Sequence, residues 1–406
     1  MSGLARVTSG WLYLLGGTVL QALAAFGANL VLARSLQPEE FGRFAIVQAI
    51  AGLALAVFST RVNILLNRTP DSQMTPERED LLYSVLVAET VLAGALILVW
   101  LAVTGSTGPW DLALAASVLV GHWLGFDRGL IERRMQFGRA AVIETMAQVG
   151  GHGLAVILVL AGFGAASLYL RELFSALAMV AILAAMGGLG RRRPRWVRLW
   201  EWRQVLTEAR GIWLDSMLEG SFQRLTVLVA NAMAGAAGAG LLFQAQRLAV
   251  VPHQFLNPLT SRVMGAWFGQ TEDGAARTRV RRAILVRLVP LLAVAAVLDV
   301  TLADPVVPWL FGPQWAPAAP LLVLLAGMIV FLPLFELLRA YAVATRRVRF
   351  LLAARVGQYG GFALPLLLIL IWHPAGLETL AVALSLAFAL AFAVLAVALG
   401  RHERGA

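Results

Sequence analysis

Apolar residues fill most of the chain in long stretches, and the polar positions gather in short gaps between them. Each stretch holds the roughly 20 residues a helix needs to cross about 30 Å of hydrocarbon. Only a helix satisfies its own backbone groups where no water is available, so each stretch predicts a transmembrane helix. The pattern predicts about twelve of them: 10–33, 41–66, 80–104, 110–130, 140–161, 165–189, 210–233, 238–262, 284–307, 317–343, 350–372 and 376–400. The fourth and eighth are interrupted by polar residues. The expected fold is an all-α polytopic membrane protein.

The gaps set the expected orientation. Arginine concentrates at 68–78, 128–139, 277–282, 346–349 and 401–404, and most densely in RRRPRWVRLWEWRQVLTEAR at 191–210. The alternate gaps, TGSTGPW (104–110), AGFG (161–164), AGAAGAG (234–240), FGPQW (311–315) and HPAG (373–376), contain no arginine. Basic residues mark cytoplasmic loops, so both termini are expected inside, with Arg34 and Arg43 breaking the asymmetry around the first outer turn. The 191–210 segment is too charged to enter hydrocarbon. Its arginines are expected to face anionic headgroups, with Trp196, Trp200 and Trp202 at the interface.

That segment also divides the chain. The expected organisation is an N-terminal six-helix bundle at 1–190, a basic cytoplasmic linker at 191–209 and a C-terminal six-helix bundle at 210–406. ARSLQPEEFGRF at 33–44 and ANAMAGAAGAGL at 230–241 occupy the same place in the two halves. Six helices in each half give both the same orientation, as in parallel pseudo-repeats around a central cavity.

Composition narrows the class. Hydrophobic residues make up 59% and charged residues 14%, and the mean hydropathy is +0.77; a soluble chain needs more polar surface. The net charge of +10 is carried by arginine alone among the basic side chains. It lies in separate membrane-side loops, which is not the pattern of a nucleic-acid surface. The absence of cysteine excludes disulfides and thiolate chemistry. No Walker lysine is present, and His122, His152 and His253 are dispersed with no metal-ligand spacing. No catalytic apparatus, metal or cofactor is expected, so the chain reads as a non-enzyme.

Pro38, Glu39 and Glu40 before Phe41 predict a helix start, with proline early and acids at the positive end of the dipole. Gly42 predicts a tight turn or a close helix contact. Pro252 and Pro258 predict a bend or break in the eighth span.

Chemistry at membrane depth must come from the few charged groups there, because exposing them to lipid is costly. The candidate substrate-binding residues are Arg247, Arg224, Arg61, Gln244 and Gln254. Gln244, Arg247 and Gln254 fall on one side of a helical wheel, and Arg247 is placed either on a ligand or in a structural ion pair. Arg61 is placed either at substrate or snorkelling to headgroups. The candidate ion-coupling residues are Asp215, Glu219, Glu89 and Glu144. Asp215, Glu219 and Gln223 share one helix face, and their carboxylates either bind a proton or sodium ion or neutralise a neighbouring arginine. Glu336 is a weaker member of the set.

NLVLARSLQPEEFGRFAIVQAI (29–50) resembles the opening of bacterial polysaccharide flippases of the multidrug/oligosaccharidyl-lipid/polysaccharide export superfamily. GLLFQAQRLAVVPHQFLNPLTSRVM (240–264) and VVPWLFGPQWAPAAPLLVLLA (306–326) are similar to further segments of that family. The resemblance implies alternating-access translocation of a polyprenyl-pyrophosphate-linked glycan across the bacterial inner membrane. O-antigen, capsule and exopolysaccharide synthesis are the pathways it implies, with membrane lipids, a polysaccharide polymerase and glycosyltransferases as partners and no nucleic acid. A cation-coupled multidrug exporter of the same superfamily, or a membrane-embedded polysaccharide assembly protein, are the alternatives.

Overall fold

A computed structural model describes residues 3–105, 108–190, 192–257, 260, 264–271, 273–372 and 376–404, and these are almost entirely helical. Pro258, parts of the gaps at 104–110 and 373–376, and Arg191 lie outside the described residues. Among the described residues, ten helices are long and apolar enough to cross a membrane. The chain is therefore an all-α polytopic membrane protein. It clusters into two compact units, one formed by Met1–Leu36 and Phe44–Leu225, the other by Gln37–Arg43 and Thr226–Ala406.

The first unit contains α1 (Gly3–Ser35), most of α2 (Pro38–Phe58), α3 (Val62–Arg68), α4 (Pro76–Thr104), α5 (Pro109–Trp123), α6 (Gly125–Arg133), α7 (Phe137–Leu160) and α8 (Ala166–Ala185). It also takes the first part of α9 (Leu199–Ala249). Helix α1 packs on α7, α7 and α5 on α8, and α3 on α6. Leu66, Leu82, Val85, Phe126 and Val205 form one buried core among these helices. Helix α4 starts as its residues dictate: the Thr75 hydroxyl accepts from the Arg78 amide at 3.2 Å, Pro76 follows the cap, and Glu77 and Glu79 lie in the first turn.

The basic segment belongs to this unit. Arg192 pairs with Glu79 and lies over the Phe126 ring. The Arg195 guanidinium donates to both carboxylate oxygens of Glu201, at 2.8 and 3.1 Å. That contact holds the Arg195 pKa above its ordinary value, the hydrogen bond to Glu201 being the largest cause. Glu201 also accepts the Arg198 amide at 2.9 Å and so closes the start of α9. Arg192 is half-buried on Glu79, whereas Arg193, Arg195 and Arg198 remain exposed, Arg195 while bonded to Glu201. Trp196 and Trp200 are 89% and 60% exposed, whereas Trp202 packs on the core.

The second unit contains the rest of α9, then α10 (Val251–Asn257), α11 (Met264–Gln270), α12 (Gly274–Phe311), α13 (Ala318–Leu324), α14 (Ala326–Ala344), α15 (Val348–Trp372) and α16 (Leu377–Arg404). Helix α9 is 51 residues long and is broken at Ala234 and Gly235, where Gly235 adopts φ +67°. That break falls in the gap expected between the seventh and eighth spans. The expected seventh span and the first part of the eighth thus fall within one helical element, and the expected fourth is met by α5, only 15 residues long. Ten long apolar helices therefore stand among the described residues where twelve were expected. A second interruption follows at Val250, with Pro252 at the second position of α10, as its missing amide dictates.

Arg277–Arg282, expected in a cytoplasmic loop, form the first turns of α12, capped by Asp273 accepting from the Ala275 amide at 2.8 Å. Arg281 is buried and makes two hydrogen bonds to Glu403, at 2.7 and 2.9 Å. The Tyr341 hydroxyl donates to the same carboxylate at 3.0 Å, and the Tyr341 ring lies 4.6 Å from the Arg281 guanidinium. This network ties α12, α14 and α16 together. Tyr341→Phe keeps the ring and removes only the hydroxyl, so it is expected to cost about 1.5 kcal/mol. Thermal unfolding of the detergent-solubilised protein checks this, and an unchanged midpoint would show that the bond contributes nothing.

Candidate functional site

Between α2 and α3 the first unit carries a helix break that neither proline nor glycine makes. Helix α2 ends at Phe58, and Arg61 adopts φ 60°, ψ 46° before α3 begins at Val62. A left-handed arginine costs about 1–2 kcal/mol and persists only where its surroundings over-determine it. Glu89 of α4 does this: its Oε1 accepts the Thr60 amide at 3.0 Å and the Thr60 hydroxyl at 2.6 Å. The Arg61 amide in turn donates to the Ser59 hydroxyl at 3.3 Å.

The break opens onto a cavity of about 190 Å³ lined by Ser59, Arg61, Asn63, His122, Arg128 and Glu132, among others. Arg128 pairs with Glu144 at 2.7 Å, and the Asn67 amide group donates to Glu132 at 3.2 Å. The lining mixes guanidinium, amide, hydroxyl, imidazole and carboxylate groups, a set that can donate to phosphate oxygens and exchange hydrogen bonds with sugar hydroxyls.

Arg224 stands nearby on α9. Its Nη1 donates to the Gly220 carbonyl at 2.8 Å, and its guanidinium fills the space beside Gly52 of α2, where an added Cβ would come within 1.9 Å of Nε. The Trp213 indole donates to the Val57 carbonyl at 3.0 Å, so α9 runs along α2 towards the break. Arg61 and Glu219 are both close enough to act electrostatically on Arg224. Two guanidinium groups held within repulsive reach of each other, with one carboxylate beside them, suit an anionic ligand.

Of the other sequence candidates, Asp215 is buried, Glu219 half-buried and Gln223 exposed along one face of α9. Arg247 and Gln244 lie in the second unit. The Arg247 guanidinium is 5.5 Å from the Phe243 ring centre. Gln244 is fully buried, with no hydrogen bond to its amide atoms among the described residues. Gln254 is exposed on α10, beyond the interruption at Val250, whereas Gln244 is buried before it. Glu336 pairs with Arg339 at 3.2 Å. Among the described residues, no group of acids and histidines is arranged to hold a metal. Sequence reasoning missed the parts played by Thr60, Asn63, His122 and Glu132, and the buried Arg355 and Gln358 on α15.

Residues 31–320 match the sequence profile of the polysaccharide biosynthesis protein family, which is more than half of the chain. The chain belongs to that family. It is 28% identical over 326 residues to the succinoglycan biosynthesis transport protein ExoT of Rhizobium meliloti, covering 77% of this chain and 64% of the relative. It is 29% identical over 224 residues to the lipopolysaccharide biosynthesis protein WzxC of Escherichia coli, covering 52% of this chain and 43% of the relative. The matched part thus spans less than two thirds of either relative. Among solved structures, the lipid II flippase MurJ in an inward closed conformation aligns with TM-score 0.71 at 12% identity, over 94% of this chain and 87% of that one. An inward-facing multidrug resistance MATE transporter of the MOP superfamily aligns with TM-score 0.65 at 16% identity, over 97% and 98%. These likenesses extend the family's membrane fold to flippases and exporters.

Proposed function

We propose that the protein moves a lipid-linked oligosaccharide or polysaccharide precursor across the bacterial inner membrane, by alternating access, for the synthesis of a cell-surface polysaccharide. The observation that carries this reading is Arg61 lining a polar cavity within an otherwise apolar bundle, with Arg224 within electrostatic reach of it. A polyprenyl pyrophosphate concentrates negative charge next to a sugar. Arginine forks bind the phosphates while the mixed cavity takes hydroxyls. The relatives named for succinoglycan and lipopolysaccharide biosynthesis support the same substrate class.

The reading includes twelve crossings, with α9 crossing on each side of its Gly235 break and α5 and α6 together making one. Both termini are cytoplasmic, and the halves form two six-helix repeats. Arg247, Gln244 and Gln254 contribute to the substrate path from the second unit. Asp215, Glu219, Glu89 and Glu144 are the groups from which coupling to a proton or sodium gradient is drawn. A glycosyltransferase supplies the substrate and a polymerase consumes it.

The test is reconstitution in vesicles with a fluorescent undecaprenyl-pyrophosphate glycan and an imposed proton or sodium gradient. Gradient-dependent movement between leaflets is the expected result. A glycan that stays in its starting leaflet while amphiphilic cations are expelled would overturn the reading in favour of multidrug export.

A further inference from the structure

We infer that Glu89 and His122 form a proton-binding site whose occupancy sets the α2–α3 break and thereby the position of Arg61. The inference rests on the transport reading only for what Arg61 binds.

Glu89 is completely buried, and its two oxygens have different neighbours. Oε1 takes both hydrogen bonds from Thr60. Oε2 has no hydrogen-bond partner among the described residues and lies 3.7 Å from His122 Nε2, a buried atom equally without one. A carboxylate oxygen and an imidazole nitrogen facing each other at that separation have a place for one proton between them. With the proton the two groups attract; without it, two acceptors face each other unless the imidazole tautomer places its hydrogen there. Buried polar atoms are rarely left unmatched; either that tautomer or proton uptake supplies the donor, and only uptake draws charge from Glu89.

The other oxygen carries the consequence. Hydrogen bonds to an ionised carboxylate are about twice as strong as those to a neutral acceptor. The two Thr60 bonds are what hold the residue before Arg61, and Arg61 is strained. Drawing the charge of Glu89 towards a proton shared with His122 weakens the hold on Thr60. The break then relaxes, and the guanidinium lining the cavity shifts.

The surrounding charges do not supply the proton's role themselves. Arg61 at the head of α3 and Arg128 and Glu132 on α6 line the same cavity as His122. Arg128 is matched by Glu144 of α7, Asp127 of α6 accepts the Gly190 amide, and Arg224 of α9 acts on Arg61. On α4 itself, the Tyr83 hydroxyl accepts from the Trp123 indole at 3.1 Å.

The test is amide hydrogen exchange of the full chain in lipid nanodiscs, reading peptides across Thr60 at about pH 8 and about pH 5, the range in which histidine changes charge, after correction for intrinsic exchange. The wild type is expected to exchange about tenfold faster there at the lower pH, as local opening replaces the held break. Glu89→Gln is expected to exchange fast at both values. His122→Gln, which keeps the carboxylate and loses its proton partner, is expected to exchange slowly at both. Protection of Thr60 in Glu89→Gln equal to that of the wild type, or wild-type pH dependence surviving in His122→Gln, would overturn the inference. These readings need no ligand, so an absence of glycan movement would count against the transport reading and leave this result standing by itself.

Discussion

Gly42→Val is expected to destabilise the second unit by more than about 4 kcal/mol, enough to leave little folded protein in detergent. Gly42 lies in the short segment Gln37–Arg43 that packs with the second unit, and it meets the part of α9 beyond the Gly235 break. A Cβ on Gly42 would fall 1.7 Å from the Ala236 carbonyl oxygen and 2.6 Å from its carbon. On the other side of the crossing, a Cβ on Gly240 would fall 1.8 Å from the Pro38 carbonyl oxygen. The clash is backbone against side chain from both directions, so no rotamer relieves it. Small residues at a membrane helix crossing exist to permit this approach. Nor can the segment move aside, because the fully buried Phe41 and Trp315 rings pack edge to face at 5.2 Å. Gly153→Ala, where nothing lies within 4 Å of the added carbon, is the control and should melt at or slightly above the wild type. Equal midpoints for Gly42→Val and the control would show that the crossing tolerates a side chain.

That crossing joins parts of the two segments, 33–44 and 230–241, that were expected to occupy the same place in the two halves. Gly42 was legible as a close contact and Pro38-Glu39-Glu40 as a helix start, because both effects are local: a missing side chain, and a preset φ with acids at a dipole. The Gln37 amide donating to Glu40 at 2.8 Å completes that start. The break at Pro252 was legible for the same kind of reason. The α2–α3 break was not, since no residue from 58 to 62 is a helix breaker. It is made by Glu89, 29 residues further on from Thr60, through two hydrogen bonds that only the folded unit brings together. His122 looked isolated because its partner lies on another helix.

Charge was legible in amount and hidden in direction. The arginines of 191–210 and 277–282 read as a solvated membrane face, yet Arg192, Arg195 and Arg281 each end on a carboxylate distant in sequence or on the next turn. Positive-inside reasoning counts loop charge; it does not see which arginines are consumed by ion pairs within a unit. Arg224 differs from these in having another arginine, Arg61, among the charges that act on it.

Arg224→Ala is expected to lower the rate of glycan movement on the order of a hundredfold, the usual loss when one positioned donor to a charged group is removed from a dry site. Arg224→Lys should recover only part of this, since an ammonium keeps the charge and loses the planar fork that matches phosphate. Both variants change the side chain itself, so a third change separates placement from chemistry. Gly52→Ala puts a carbon where Nε now lies, at 1.9 Å, and the atoms it meets belong to the flexible end of Arg224. The guanidinium can swing away at little cost in stability, and α2 gains a better helix former. The charge therefore stays in the bundle while its position moves. If Arg224 only balances Glu219, Gly52→Ala should transport normally; if it holds the headgroup, transport should fall while the melting temperature holds. Glu219→Gln asks about coupling in the same vesicles: loss of gradient dependence with retained substrate binding marks a coupling carboxylate, and joint loss of stability marks an ion pair. Arg247→Ala, measured beside them, tests the second unit's candidate against the first's. Initial rates at equal inserted protein decide the matter. Wild-type rates in both Arg224→Ala and Gly52→Ala would remove the arginine pair from the substrate path.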